Sequence, residues 1–242
     1  MRIGITHRSP PHRQLVNTDG VDVYKTVILA SDPDDFPAPT ASLIEQLPHD
    51  VIRPHFHFNS QFQVFVNGSG KLGRADVRGF VVQYVSPHTG YGPITASEDG
   101  IWYLTLRPSF PTKKPGYKPV LYLPESRPVL ASDSKKFQVH SEICDVVGER
   151  AERTFVKEVI APAESGLAAW WLRIPANEVR NPPELAGGLA RYHLVANGSL
   201  IRDGTELPTL SVIWTEGAET LQLVAGDTGA DVIVMQFPGD AF

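Results

Sequence analysis

One cysteine, Cys144, leaves no partner for an intramolecular disulfide anywhere in the 242 residues. A lone thiol fits a reducing cytoplasm and reads as a small buried hydrophobe. Positive charge is also short: 22 Lys and Arg against 27 Asp and Glu give a net charge of −5, which excludes the basic surface that tracks nucleic acid. No apolar run approaches the roughly 20 residues of a membrane helix. The first residues, MRIGITHRSPPHRQ, lack the apolar core of a secretory signal. The expectation is a cytoplasmic protein that binds neither nucleic acid nor membrane. Also missing are a Gly-rich phosphate loop, a Gly-x-Ser-x-Gly elbow and a Cys-x-x-Cys pair.

What is present is strand signal. The 20 glycines and 21 prolines are scattered rather than gathered in one linker. Between them lie short runs rich in β-branched and aromatic residues: VYKTVILA (23–30), QFQVFVN (61–67), GFVVQYV (79–85) and GIWYLTLRP (100–108). The second half continues with TFVKEVIA (154–161), AAWWLRI (168–174), ARYHLVANG (190–198), TLSVIW (209–214), ETLQLVAG (219–226) and DVIVMQF (231–237). Runs of this length and punctuation predict an all-β sandwich or barrel. Helical signals are few. ASLIEQL (41–47) predicts a short helix, and SEICDVVGERA (141–151) a helix bridging the halves.

An internal repeat organises these strands. Val66-Asn67-Gly68-Ser69 matches Ala196-Asn197-Gly198-Ser199, and Leu106-Arg107-Pro108 matches Gln236-Phe237-Pro238. Both matches carry an offset of 130, which indicates a duplicated β unit. The boundary is expected in the Pro- and Lys-rich stretch 109–136, giving lobes 1–125 and 126–242.

The chemistry concentrates in residues 54–68, PHFHFNSQFQVFVNG. A strand sends alternate side chains to one face, so His55 and His57 point together and Phe56 points away. Beyond the Asn59-Ser60 corner, Gln61, Gln63 and Phe65 share one face while Phe62, Val64 and Val66 share the other. Two imidazoles side by side, with a polar group four residues on, can converge on one borderline divalent ion: Fe, Mn, Co, Ni, Cu or Zn.

The spacing His55-x-His57-(x)3-Gln61-(x)6-Gly68 resembles the first motif of the cupin superfamily, in which a glutamate usually stands where this chain has Gln61. The strand at 79–85, followed by SPHTGYGP (86–93), resembles the second motif, which supplies one more histidine; His88 is its candidate here. With the repeat, the resemblance implies a jelly-roll bicupin, a double-stranded β-helix built twice. It implies a metal set of His55, His57, Gln61 and His88 in the first barrel. At the same offset the second lobe has Leu185 and Gly187 in place of the histidines, Arg191 in place of Gln61 and His193 opposite Gln63. No metal set can be built there, and the expectation is one metal per chain.

Tyr103, Thr105 and Arg107 alternate with Trp102, Leu104 and Leu106. Gln63, Tyr103 and Arg107 are the substrate-binding candidates. Arg107 reads either as an anion clamp or as a rim arginine paired at the surface. Trp170 and Trp171 put one indole on each face of a strand. His7, His12, His49 and His140 lie in loop-like sequence and carry no role. Neutral ligands leave an ion its full double charge, which favours a small anionic substrate such as an enolate, phenolate or carboxylate. The resemblance extends to dioxygenases with three-histidine iron sites, which cleave aromatic or diketone substrates. It implies a divalent transition metal (Fe, Mn, Ni, Zn or Cu), with Fe(II) favoured for an oxygenase. The alternatives are a redox-silent isomerase or lyase and a non-enzymatic binding bicupin. Pairing of protomers into a homodimer is a further expectation from the superfamily.

Overall fold

The computed structural model describes residues 1–32, 37–109, 121–123, 137–142, 144, 153–184, 186–217, 219–239 and 241. Every regular element among the described residues is a β-strand, and the class is all-β. Two units result: Arg8–Asp145, and Met1–His7 together with Val146–Ala241. In the first, an antiparallel sheet runs in the order Gln138–His140, Val81–Val85, Gln61–Leu72, Ile94–Arg107, Thr40–Gln46, Val21–Leu29, Arg13–Thr18. Val51–Ile52 and Ala75–Arg78 pair onto its long strands, and Leu121–Tyr122 pairs with His55–Phe56. In the second, the order is Arg2–Gly4, Val212–Glu216, Ala190–Arg202, Leu223–Gln236, Ala168–Ile174, Phe155–Ile160.

The segment expected as a helix at 41–47 is instead strand Thr40–Gln46, paired with Val21–Leu29 and Ile94–Arg107. Ala41 and Leu43 are fully buried, and so nearly are Glu45 and Gln46. A segment buried on both faces loses its alternation, and its apolar run is then ambiguous between helix and strand. Of the bridging helix expected at 141–151, residues 143 and 145–151 lie outside the described residues. Its start continues the sheet: Ser141 N–H donates to Val82 O, and Cys144 and Phe80 exchange backbone hydrogen bonds. The first unit therefore runs past the boundary expected at 125/126, while the N-terminal strand Arg2–Gly4 pairs with Val212–Glu216 of the other. Strand pairing, not composition, sets the division.

The two sheets repeat one plan with small shifts of register. Gly68 lies opposite Ile101 and Gly198 opposite Ala230. Phe62 pairs with Leu106 and Tyr192 with Met235. The last strand is thus offset by 129 rather than 130, and the counterpart of Arg107 is Gln236. Asn67-Gly68 and Asn197-Gly198 do not close hairpins. Each follows a bulge in the middle of a long strand, where the register slips between Trp102 and Tyr103 and between Val195 and Asn197. The interior of the first unit is packed by Val23, Phe65, Val81, Ile94, Ile101 and Tyr103 among others. That of the second is packed by Trp170, Leu172, Val195, Ile213, Val232 and Val234 among others.

Candidate metal and ligand site

His55 is held from both sides. Its backbone exchanges hydrogen bonds with Tyr91, and it lies opposite Tyr122 in the short ladder with Leu121–Tyr122. The bridge turns the Tyr91 ring over His55, with centroids 4.5 Å apart. Three side chains then meet at one atom, the Tyr91 hydroxyl oxygen. His55 Nε2 is 2.9 Å from it, His57 Nε2 3.1 Å and Gln61 Nε2 2.6 Å.

Proton inventory fixes most of the orientations. His55 Nδ1 lies 2.8 Å from the Arg53 carbonyl; a carbonyl only accepts, so Nδ1 carries the proton and Nε2 presents a bare lone pair. The second-atom bond to a backbone carbonyl is the arrangement that orients metal-ligating histidines. Burial pushes His55 down to about 4, and the Arg107 charge adds to that, so its ring is neutral. Arg107 Nε donates to Gln61 Oε1 at 3.2 Å. A guanidinium only donates, so the amide oxygen must face it and the amide nitrogen faces Tyr91. Gln61 is therefore brought to the convergence point nitrogen-first, not with the oxygen a metal takes. Burial also raises the Tyr91 hydroxyl well above the usual phenol range.

His88 is not brought to this point. Its backbone N–H donates to His57 O, but its ring packs on Phe58 at 5.0 Å and Phe56 at 6.3 Å. Those rings belong to the face opposite the imidazoles. The positive φ of His88, 59°, marks the turn that leaves Tyr91 to face His55. Gln63, Tyr103 and Arg107 line one cavity of about 400 Å³ together with His55, His57 and Tyr91. Its other walls include Val16, Val23, Ile44, Ile52 and Tyr122. Tyr91, Tyr122 and Lys25, which also line it, were not singled out from the sequence. Tyr91 stands three residues past His88 in the same motif segment, and Lys25 shares a strand face with Val23 and Val27, so both signals were there to find.

A transition ion fits these donors. Ligands held about 2.0–2.2 Å from one ion lie roughly 3.0–3.4 Å from each other, close to the 2.9 and 3.1 Å between Tyr91 oxygen and the two imidazole nitrogens. Among the described residues no group of three His, Cys, Asp or Glu could hold a metal. The oxygen that stands beside both imidazole nitrogens is that of Tyr91. Arg107 Nη2 lies 3.4 Å from His57 Nε2, a fixed cation beside that nitrogen, so a metal ion placed there would be favoured in company with an anion.

In the second unit Arg191 donates to Glu184 Oε2 at 2.6 Å and to the Glu219 carbonyl at 3.2 Å. His193 is wholly buried, with Nδ1 3.2 Å from Ile213 O, and burial pushes it down to about 3. It pairs with Val234 as Gln63 pairs with Thr105, which places it opposite Gln63 in the repeat. Leu185 lies outside the described residues. Among the described residues, too, no helix is long and apolar enough to cross a membrane.

No family model and no curated protein matches the sequence. Solved structures do match the fold over almost its full length. A protein of Nostoc punctiforme, provisionally assigned as a dioxygenase, aligns at a TM-score of 0.62 and 12% identity, over 93% of this chain and 77% of that one. Oxalate decarboxylase of Bacillus subtilis aligns at 0.59 and 12%, over 98% and 76%. The Escherichia coli pirin YhhW, solved with nickel(II), aligns at 0.54 and 12%, over 93% and 95%. The chain has the cupin fold in its two-barrel form. At these identities the likeness carries the fold alone.

Proposed function

We propose that the first barrel holds one divalent transition metal on His55 and His57, with Tyr91 as third donor, and acts as an oxygenase on a small organic anion. The observation that carries this reading is the convergence of two imidazole nitrogens and a phenol oxygen at the floor of a cavity that also presents Arg107. Bound there, the ion would supply Lewis acidity and, as iron(II), electrons for dioxygen chemistry. The protein's own groups do the rest. Arg107 receives the anion, its other bonds fix the Gln61 amide, and the aliphatic walls keep bulk water from the reacting end. Tyr91 would hold the ion through its hydroxyl oxygen. The second barrel, with Arg191 bonded to Glu184 and the Glu219 carbonyl, serves structure.

A specific observation favours a second reading, a metal-free binding barrel. The Tyr91 hydroxyl already has hydrogen-bonding neighbours in His55, His57 and Gln61. Elemental analysis decides between them. We expect close to one transition-metal ion per chain, and dioxygen uptake when the iron-loaded protein meets phenolates or carboxylates. A metal-free protein whose thermal stability does not respond to Fe(II), Mn(II), Ni(II) or Zn(II) would sink the metal reading. Metal without oxygen uptake would leave a lyase or isomerase.

A further inference from the structure

Lys25 sits in strand Val21–Leu29, opposite Ile44 and two residues from both Val23 and Val27, and all four line the cavity of the first barrel. Four arginines elsewhere in the molecule meet a carboxylate. Arg8 and Arg13 bond Glu45, Arg173 bonds Asp231 and Arg191 bonds Glu184. Lys25 is half-buried, yet no hydrogen bond or ion pair holds its ammonium among the described residues. The described lining of the cavity includes no Asp or Glu at all. Burial, and after it the charge of Arg107, lower the Lys25 pKa from its ordinary value, the mark of a cation without compensation.

Two more polar atoms wait in the same space. Tyr122 Oη and Gln63 Oε1 are buried without a hydrogen-bond partner among the described residues, and buried polar groups are normally satisfied. One wall is open: Val27 is 44% exposed, whereas His55 at the floor is 5% exposed.

We infer that Lys25 is a ligand-binding residue: with Arg107 it holds the carboxylate of a small carboxylic acid whose apolar body lies against Val16, Val23, Val27 and Ile52. A carboxylate between the two cations removes their mutual repulsion and gives Lys25 its missing partner. Tyr122 can donate to the same group. The inference rests on the reading that this cavity is the substrate site, and it replaces "small organic anion" by a stated class and a second recognition charge.

The test is calorimetric titration of the full-length protein with phenylacetate, hexanoate and, as the neutral control, phenylacetamide. The carboxylates are expected to bind at least about tenfold more tightly than the amide. Lys25→Met should weaken the carboxylates by about tenfold while leaving phenylacetamide binding and metal content unchanged, and Lys25→Arg should keep most of the affinity. No carboxylate binding by the wild-type protein, or equal binding by Lys25→Met, overturns the inference whatever the metal does. His55→Ala separates the two readings. A Lys25 effect that persists in this variant, or in a wild-type protein that takes up no metal, supports the inference independently of the metal proposal.

Discussion

Replacing His55 or His57 by alanine is expected to lower metal affinity by at least about a hundredfold, since even outer partners of a metal site cost 10–100-fold when removed. His88→Ala should leave affinity unchanged, because its ring packs on Phe56 and Phe58 away from the donors. Tyr91→Phe keeps the ring and removes only the oxygen that lies within 3.1 Å of both imidazole nitrogens. If Tyr91 is the third donor, its loss should approach that of a histidine. None of the four changes should unfold the barrel, whose interior is carried by residues such as Phe65, Val81, Ile94 and Ile101. Chelator competition reads the affinities, and thermal unfolding checks the fold. A drop for His88→Ala, or wild-type affinity for Tyr91→Phe, would return the third ligand to the histidine that the motif suggests.

That contrast shows where the sequence was informative. His55 and His57 were legible because strand alternation alone puts them on one face, and they do meet at one atom. Strand alternation put Arg107 on one face with Thr105 and Tyr103 but left it open between a cavity clamp and a rim arginine; it lines the cavity. Tyr91, the proposed third donor, was not legible. Which residue of 86–93 bridges to His55 depends on the left-handed turn at His88, and a motif that looks for histidine passes over the tyrosine three positions on. The orientation of Gln61 likewise depends on Arg107, 46 residues away. Pairing of Arg2–Gly4 with Val212–Trp214 joins the ends of the chain, beyond the reach of any local pattern. The misread helix at 41–47 could have been caught by the repeat. Gln46 pairs with Ile101 as Ile174 pairs with Ala230, which sets SLIEQ (42–46) against WWLRI (170–174), a plain strand.

Gly68→Ala and Gly198→Ala are expected to be among the most destabilising single changes the chain allows, and for one shared reason. Both glycines adopt left-handed backbone, φ +72° and +68°. A Cβ at Gly68 would stand 2.1 Å from the Gly100 carbonyl oxygen, and one at Gly198 2.0 Å from that of Gly229. The conformation alone costs an alanine about 1–2 kcal/mol. The collision is with backbone, so no rotamer relieves it, and the strands on either side of the bulge must move apart by more than 1 Å or so to restore contact distance. Overpacking of this kind costs about 1–3 kcal/mol, for a combined loss of roughly 2–5 kcal/mol out of a typical 5–15 kcal/mol. Gly20→Ala and Gly204→Ala are the controls. They share the positive φ, +84° and +75°, but a Cβ there meets nothing within 4 Å, so only the conformational cost should appear. Urea unfolding monitored by tryptophan fluorescence compares the four. If Gly68→Ala falls within about 1 kcal/mol of Gly20→Ala, within the scatter of ordinary substitutions, the close approach of the two long strands is not rigid. In that case the strand that carries Gln61 and delivers Gln63 to the cavity is free to shift.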